Sequence, residues 1–268
     1  MILSAGAFAS PQLLMLSGIG PADHLAYHKI QLVHNLPAVG KNMQSHVGMG
    51  ELIFTVKKPV SFDVLRLSLN PVNLLNYFLT GNGPFASSSG LDAIGNIRTP
   101  YAEANTTWPD VGILFLGVHV NADGGAIFRR SLHLKDSYFK HFQSLKFQEG
   151  FTLLPVLLHP YSRGEVRLRT RNPFDKPRIL PNYFQDLRDL DTLMEGIRRS
   201  FSIVQDAGIF QKFGTQFFDK VNPACKMLQA FSTGESLNTK LKLLKSHFFS
   251  FFRVLEMYLP SLYLPNLP

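Results

Sequence analysis

Ala5-Gly6-Ala7, followed closely by Ser10-Pro11, is the segment whose residue types and spacing most directly suggest chemistry. Met1 to Ala5 is a short apolar run that predicts a buried strand. Ser10-Pro11 predicts a helix start, with Ser10 as N-cap and Pro11 at the first helical position, where its missing N–H costs nothing. A strand, a tight turn of small residues and a helix N-terminus in succession aim backbone N–H groups and the positive end of a helix dipole at one spot, which suits a phosphate or pyrophosphate. The same small residues also let a strand lie close to a helix, so packing alone is the competing explanation. Asn42 and His46 sit in a loop that turns on Pro37 and Gly40, and they read as a hydrogen-bonded pair holding that loop. Arg163, between Ser162 and Gly164, reads as part of a turn with a surface ion pair. Cys225 is the only cysteine, so a disulfide-stapled or zinc-stapled fold is excluded, and no metal site is expected.

The elements that must position these residues follow from pattern. Ser17-Gly18-Ile19-Gly20-Pro21 stops the first helix. A short helix over 21–28 and a short strand over 30–34 follow, then the 36–46 loop and a strand over 47–56. Asn70–Thr80 reads as a helix with Pro71 near its start, closed by Gly81-Asn82-Gly83-Pro84. Strands are expected at 90–97, 111–118, 150–158 and 165–170, with a helical piece near 131–141, and short strands separated by turn signals suggest an antiparallel sheet. The clearest helical period is Leu187, Leu190, Leu193, Met194, Ile197, Phe201 and Val204, a core stripe, with Asp186 as N-cap, Asp189 supporting the first turn and Gly208 marking the end.

With 45% hydrophobic and 17% charged residues, the chain of 268 packs a sizeable core, which excludes general disorder. The formal charge of +8 is scattered rather than blocked. No apolar run reaches the ~18–20 residues needed to cross a bilayer. No basic segment precedes the first apolar stretch, so a signal peptide is not expected, and the compartment stays open. A chain that starts on a buried strand implies neighbours from later in the chain or from a missing N-terminal half. Beyond residue 222 the character changes. Lys226, Lys240, Lys242, Lys245 and Arg253 outnumber Glu235 and Glu256, the run His247 to Phe252 is Phe-rich, and 237–257 can be drawn as a basic amphipathic helix.

The stretch Gly6-Ala7-Phe8-Ala9-Ser10-Pro11-Gln12-Leu13-Leu14-Met15-Leu16-Ser17-Gly18-Ile19-Gly20 resembles the second signature of the glucose–methanol–choline (GMC) flavin oxidoreductases. Leu36-Pro37-Ala38-Val39-Gly40-Lys41-Asn42-Met43-Gln44-Ser45-His46 is similar to the family's LPxVGxNLxDH loop, with Ser45 where the family usually has Asp. The block from His159 to Arg198 looks like the PxSRGxVxL…PNY run that precedes a long helix. Gly81-Asn82-Gly83-Pro84 and Trp108-Pro109-Asp110-Val111 also sit where the family places them. The resemblance runs from residue 1 to about 214 and looks closest to the insect glucose dehydrogenase-like branch.

The resemblance implies an α+β chain: part of an FAD-binding α/β domain (1–46) joined to a substrate domain with an antiparallel sheet flanked by helices (47–214), then a divergent tail (215–268), poorly ordered or a lone helix. It implies FAD as cofactor, contacted by Ala5, Gly6, Ala7 and Ser10, with Asn42 and His46 as further cofactor contacts and His119, at a strand end, as a pocket residue. The donor is expected to be a small alcohol or sugar oxidised at a CH–OH carbon by hydride transfer to the flavin. Two family features are not in these residues: the G-x-G-x-x-G turn for the FAD pyrophosphate and a C-terminal histidine segment, so no catalytic residue is assigned, His247 included. The expectation is a truncated form that holds no stoichiometric FAD and turns over weakly or not at all. The alternatives are a non-catalytic remnant and a basic module for membrane surfaces or nucleic acid, based on the charge and the Lys/Phe-rich tail. Acids interleaved with the bases, as in Arg169 to Arg178, argue against the latter and against a specific nucleic-acid partner.

Overall fold

The computed structural model describes residues 2–50, 52–87 and 90–219, so the reading of the tail from 220 onward lies outside the described residues. In chain order the elements are α1 (Gly6–Leu16), β1 (Ile19–Gly20), α2 (Ala22–Tyr27), β2 (His34–Asn35), β3 (Val47–Gly48), β4 (Leu52–Thr55), α3 (Val64–Ser68), α4 (Pro71–Thr80) and β5 (Leu91–Ile97). These are followed by β6 (Val111–Leu116), α5 (Phe128–Ser131), α6 (Asp136–Phe139), β7 (Gly150–Leu157), β8 (Glu165–Arg167), β9 (Arg178–Leu180), α7 (Leu187–Asp206), α8 (Gly208–Lys212) and β10 (Gln216–Phe217). The class is α+β with an antiparallel sheet, as expected.

The described chain divides into two units: residues 2–46 with 160–190, and residues 47–159 with 191–219. The segment 160–190, placed with the substrate domain by sequence, therefore returns to the first unit. The reason is backbone pairing that no linear pattern displays. Met43 and Gly164 exchange N–H···O bonds of 2.9 and 2.8 Å, and the Val166 N–H donates to the Gly40 carbonyl at 2.6 Å. Met15, Leu25 and Leu168 then close a small core under α1 and α2, with Leu16, Ile30 and Val39 against it.

Three local expectations in this unit are corrected. Residues 2–5 form no strand and are exposed, Ile2 at 93%, because no described segment offers them a ladder. Helix α1 begins at Gly6 rather than at Ser10, which leaves Pro11 inside it. The expected strand over 30–34 reduces to β2, which pairs in parallel with β1.

The second unit is built on a six-stranded sheet of order β10-β4-β7-β6-β5, with β3 also on β7. The central strand β7 is almost continuously apolar and buried, as a strand covered on both faces should be. Pro155 within it has no N–H to give. It falls where the ladder on one edge passes from β4 (ending at Leu153) to β3 (starting at Val156), so the missing donor lies at a break in the pairing. Helix α7 carries the predicted stripe, with Leu193, Met194, Ile197, Phe201 and Val204 all below 9% exposure. Gly196 lets it approach the sheet: a Cβ there would lie 2.8 Å from Val111 Cγ1. The Phe surplus is partly spent here, since Phe54 stacks on Phe151 at 5.3 Å and meets Phe201 edge-on at 5.7 Å.

Gly164 is one of the tight points of the first unit. A methyl group on it would meet the Leu180 carbonyl oxygen at 2.5 Å and that of Pro181 at 2.8 Å, and backbone cannot step aside as a side chain can. Gly164→Ala is expected to cost about 1–3 kcal/mol in chemical denaturation, the scale of overpacking; an unchanged midpoint would mean the hairpin is looser than described.

Candidate functional site

The small-residue turn is where the structure departs from ordinary packing. Gly6 adopts φ +88°, the left-handed region, and a Cβ built on it would have nothing within 4 Å. Close strand–helix packing would have put atoms there, so the packing explanation does not hold at Gly6. Residues 4–8 are all exposed. No side chain caps the first turn of α1 and no acidic residue lies in it. Ser10 does not act as N-cap; from inside the helix its hydroxyl accepts the Ala5 N–H at 3.1 Å, fixing the entry of the chain. The result is an open shelf whose polar groups are first-turn backbone N–H donors at the positive end of a helix dipole. Such a shelf fits an anionic nucleotide cofactor in donor chemistry and in space.

Asn42 and His46 are both exposed, and no hydrogen bond joins them among the described residues. Asn42 acts through its backbone, at φ 60°, a left-handed position that Asn tolerates better than most residues. The loop is instead pinned from outside: Lys41 pairs with Glu165, and the Tyr183 hydroxyl donates to Ser45 Oγ at 2.9 Å. Burial works to raise the Glu165 carboxyl, but hydrogen bonds from Lys41 and Arg167 outweigh it and hold the group below the usual carboxylate range. Loop and hairpin, remote in sequence, are thus brought together, but not through the pair that sequence suggested.

Arg163 makes no ion pair among the described residues; its guanidinium donates to the carbonyls of Pro160 and Ser162. The anchor of this turn is Asp189, which is 1% exposed and accepts the Tyr161 N–H at 2.6 Å and the Ser162 N–H at 2.9 Å. Asp186 caps α7 as expected, accepting the Arg188 N–H at 3.0 Å. Its pairing with the Arg188 side chain holds its carboxyl below the normal range. Sequence reading saw Asp189 only as first-turn support; the signal available was a second acid three residues after the cap, which does not show what the side chain reaches back to. Tyr161, Ser162, Arg163, Gln185, Asp186 and Leu187 line an open depression of about 470 Å³.

His119 belongs to the second unit and is 2% exposed. Nδ1 accepts the Asn121 N–H at 3.2 Å, which leaves Nε2 to donate to the Gln148 carbonyl at 2.8 Å. Both nitrogens are spent on backbone, so the ring has none to offer a substrate, and the pocket role expected of it is replaced by a role in holding 117–121 against 148. Burial pushes its pKa below the ordinary value, against the pull of Gln148, Asp63, Glu149 and Asp123. In the first unit His24 is shifted the same way, chiefly by burial, and its Nε2 accepts the Leu168 N–H at 3.0 Å. No group of three or more metal-ligating side chains occurs among the described residues.

The sign of the pH effect follows. An unfolded histidine takes up a proton near pH 6.5 while the folded ring resists it, so the unfolded state binds more protons and stability falls as pH drops through that value. Thermal melts are expected to fall between pH 7 and pH 5, and His119→Gln is expected to flatten that slope while lowering stability at pH 7. An identical slope in the variant would show that His119 titrates freely.

Comparison with known proteins completes the site. Residues 1–48 and 160–248 match the N-terminal and C-terminal GMC oxidoreductase profiles, together about half of the chain. The chain is 30% identical over 226 residues to glucose dehydrogenase [FAD, quinone] of Drosophila melanogaster, covering 84% of this chain and 33% of that protein. It is 31% identical over 216 residues to oxygen-dependent choline dehydrogenase of Escherichia coli O17:K52:H18, covering 81% and 35%. It thus spans about a third of the length of these curated relatives. A formate oxidase structure from Aspergillus oryzae superposes with a TM-score of 0.67 at 23% identity, over 91% of this chain and 42% of that one, which shows the shared fold. With the signature turn, the 36–46 loop and the 160–190 block folded into one unit, the chain belongs to the GMC oxidoreductase family.

Proposed function

We propose that the chain serves flavin-dependent oxidation of a CH–OH donor, an alcohol or sugar, with residues 5–8 as a contact surface for FAD. The single observation that carries this reading is Gly6: left-handed, exposed, with open space where a side chain would stand, at the start of an uncapped helix. The family membership and the relatives named for glucose and choline oxidation support it. FAD, when bound, supplies the hydride acceptor.

The chain's own residues then have limited tasks. Ala5, Gly6 and Ala7 give the shelf its small profile, and first-turn N–H groups of α1 donate to an anionic part of the cofactor. Ser10 fixes the shelf by holding the Ala5 N–H. Asn42 and His46, exposed on the loop pinned at Gly40 and Glu165, are proposed as further cofactor contacts. The 47–159 sheet is proposed as the body of the substrate domain. No glycine-rich pyrophosphate turn is found in the sequence, and none of its histidines is assigned as the base implied by the family pattern. We therefore propose that the chain by itself neither retains stoichiometric FAD nor turns over.

The test is direct. Purified chain is expected to be colourless and to reduce no redox dye with glucose, choline or simple alcohols. Added FAD is expected to bind weakly, and Gly6→Val to weaken it by about tenfold or more when measured well below the melting temperature, with stability lowered by about 1–3 kcal/mol because a β-branched residue is strained at positive φ. Alcohol-dependent dye reduction would contradict the first expectation, and equal FAD binding by the variant would contradict the second.

A further inference from the structure

The β8–β9 hairpin carries a charge pattern that the linear sequence conceals. Between Glu165 and Arg171 burial alternates strictly: Val166 and Leu168 face the small core, while Arg167, Arg169 and Arg171 are exposed. On the return strand Lys176 and Arg178 are exposed too. Arg167 lies directly opposite Arg178 in the ladder, and Arg167 is met by Glu165 at 2.7 Å. The interleaved acids Glu165 and Asp175 offset part of this charge, and the segment stays net positive. Asp175 is half-buried, accepting the Thr170 hydroxyl at 2.6 Å and the Asn172 amide at 3.2 Å, and Glu165 is committed to Lys41 and Arg167. Burial leaves these cations on the solvent side.

At the turn of the hairpin Phe174 is 91% exposed. It is presented by a fixed turn: Asp175 N–H donates to the Asn172 carbonyl at 3.2 Å, Phe174 N–H to Asn172 Oδ1 at 3.2 Å, and Gln12 of α1 donates to the Asp175 carbonyl at 2.8 Å. An apolar ring held out into water costs free energy unless something receives it.

We propose that this face docks on an anionic lipid surface, with Arg169, Arg171 and Lys176 at the phosphate level and Phe174 entering the headgroup–acyl boundary. Cations flanking one protruding ring match that interface, where electrostatic attraction and a shallow apolar anchor act together. A nucleic-acid platform instead repeats aromatics along a groove that tracks the backbone, and a single ring at a turn does not provide it.

The test is flotation of the full chain with phosphatidylcholine vesicles, with and without phosphatidylserine, at low and high salt. Binding is expected only with phosphatidylserine and to weaken with salt. Arg169→Glu/Arg171→Glu/Lys176→Glu is expected to lower partitioning roughly a hundredfold. A charge-matched control, Lys29→Glu/Lys140→Glu/Lys212→Glu, reverses exposed cations elsewhere and is expected to lower it far less. Phe174→Ser is expected to lower it about tenfold with the salt dependence intact. Equal loss in both triple variants, no binding to phosphatidylserine vesicles, or single-stranded DNA bound more tightly than vesicles and indifferent to Phe174→Ser would each overturn the proposal.

Discussion

The first unit depends on one close approach of backbone to backbone. The 36–46 loop lies against residues 164–166 because Gly40 and Gly164 carry no side chains; at either position a Cβ would press on a carbonyl oxygen, of Val166 for Gly40 and of Leu180 for Gly164. Once that contact is made, Lys41 reaches Glu165, Leu168 completes the core with Met15 and Leu25, and the floor under α1 is set. Helix α1 is poorly designed to hold itself, since Pro11 removes a donor that would have met the Ala7 carbonyl. It is held by what lies beneath it, which leaves its first turn free to face outward.

That arrangement separates support from contact. Buried polar groups do the supporting: Asp189 takes two backbone N–H groups at the 160–162 turn, His24 takes one from Leu168, and His119 in the other unit takes one and gives one. Each is satisfied within its own unit, as buried polar groups must be. The first turn of α1, with no side-chain cap, lies on the exposed surface of the 5–8 turn. The His119 ring is enclosed by backbone partners, whereas Gly6, at positive φ, is exposed.

Much of the fold was legible in the sequence, because hydrophobic period and caps are local. The stripe of α7, its Asp186 cap, the Asn70 and Gly81 ends of α4, and the apolar strands β5, β6 and β7 are all where pattern placed them. What could not be read was non-local. The strand expected over 1–5 needs a partner, and none of the described segments supplies one. The 160–190 block belongs with 2–46 through hydrogen bonds across more than a hundred residues of chain. The Asn42–His46 pair and the Arg163 ion pair were inferred from proximity in sequence; Asn42 and His46 are both exposed and not joined among the described residues, and Arg163 goes instead to the carbonyls of Pro160 and Ser162. The family signature was legible because fixed glycines, prolines and small residues at fixed spacing encode such non-local contacts indirectly. Even so, it marked the 5–10 segment without showing that Ser10 grips the preceding chain rather than capping the helix.

The claim on which the account rests is that the backbone of residues 5–8 is a ligand-facing surface and not a packing surface. Hydrogen–deuterium exchange of the peptide spanning residues 2–13, with and without excess FAD, tests it most directly, because it reads those amides and needs no turnover. The account predicts slowed exchange in that peptide when FAD is present. Unchanged exchange there, with protection appearing elsewhere in the chain, would contradict it.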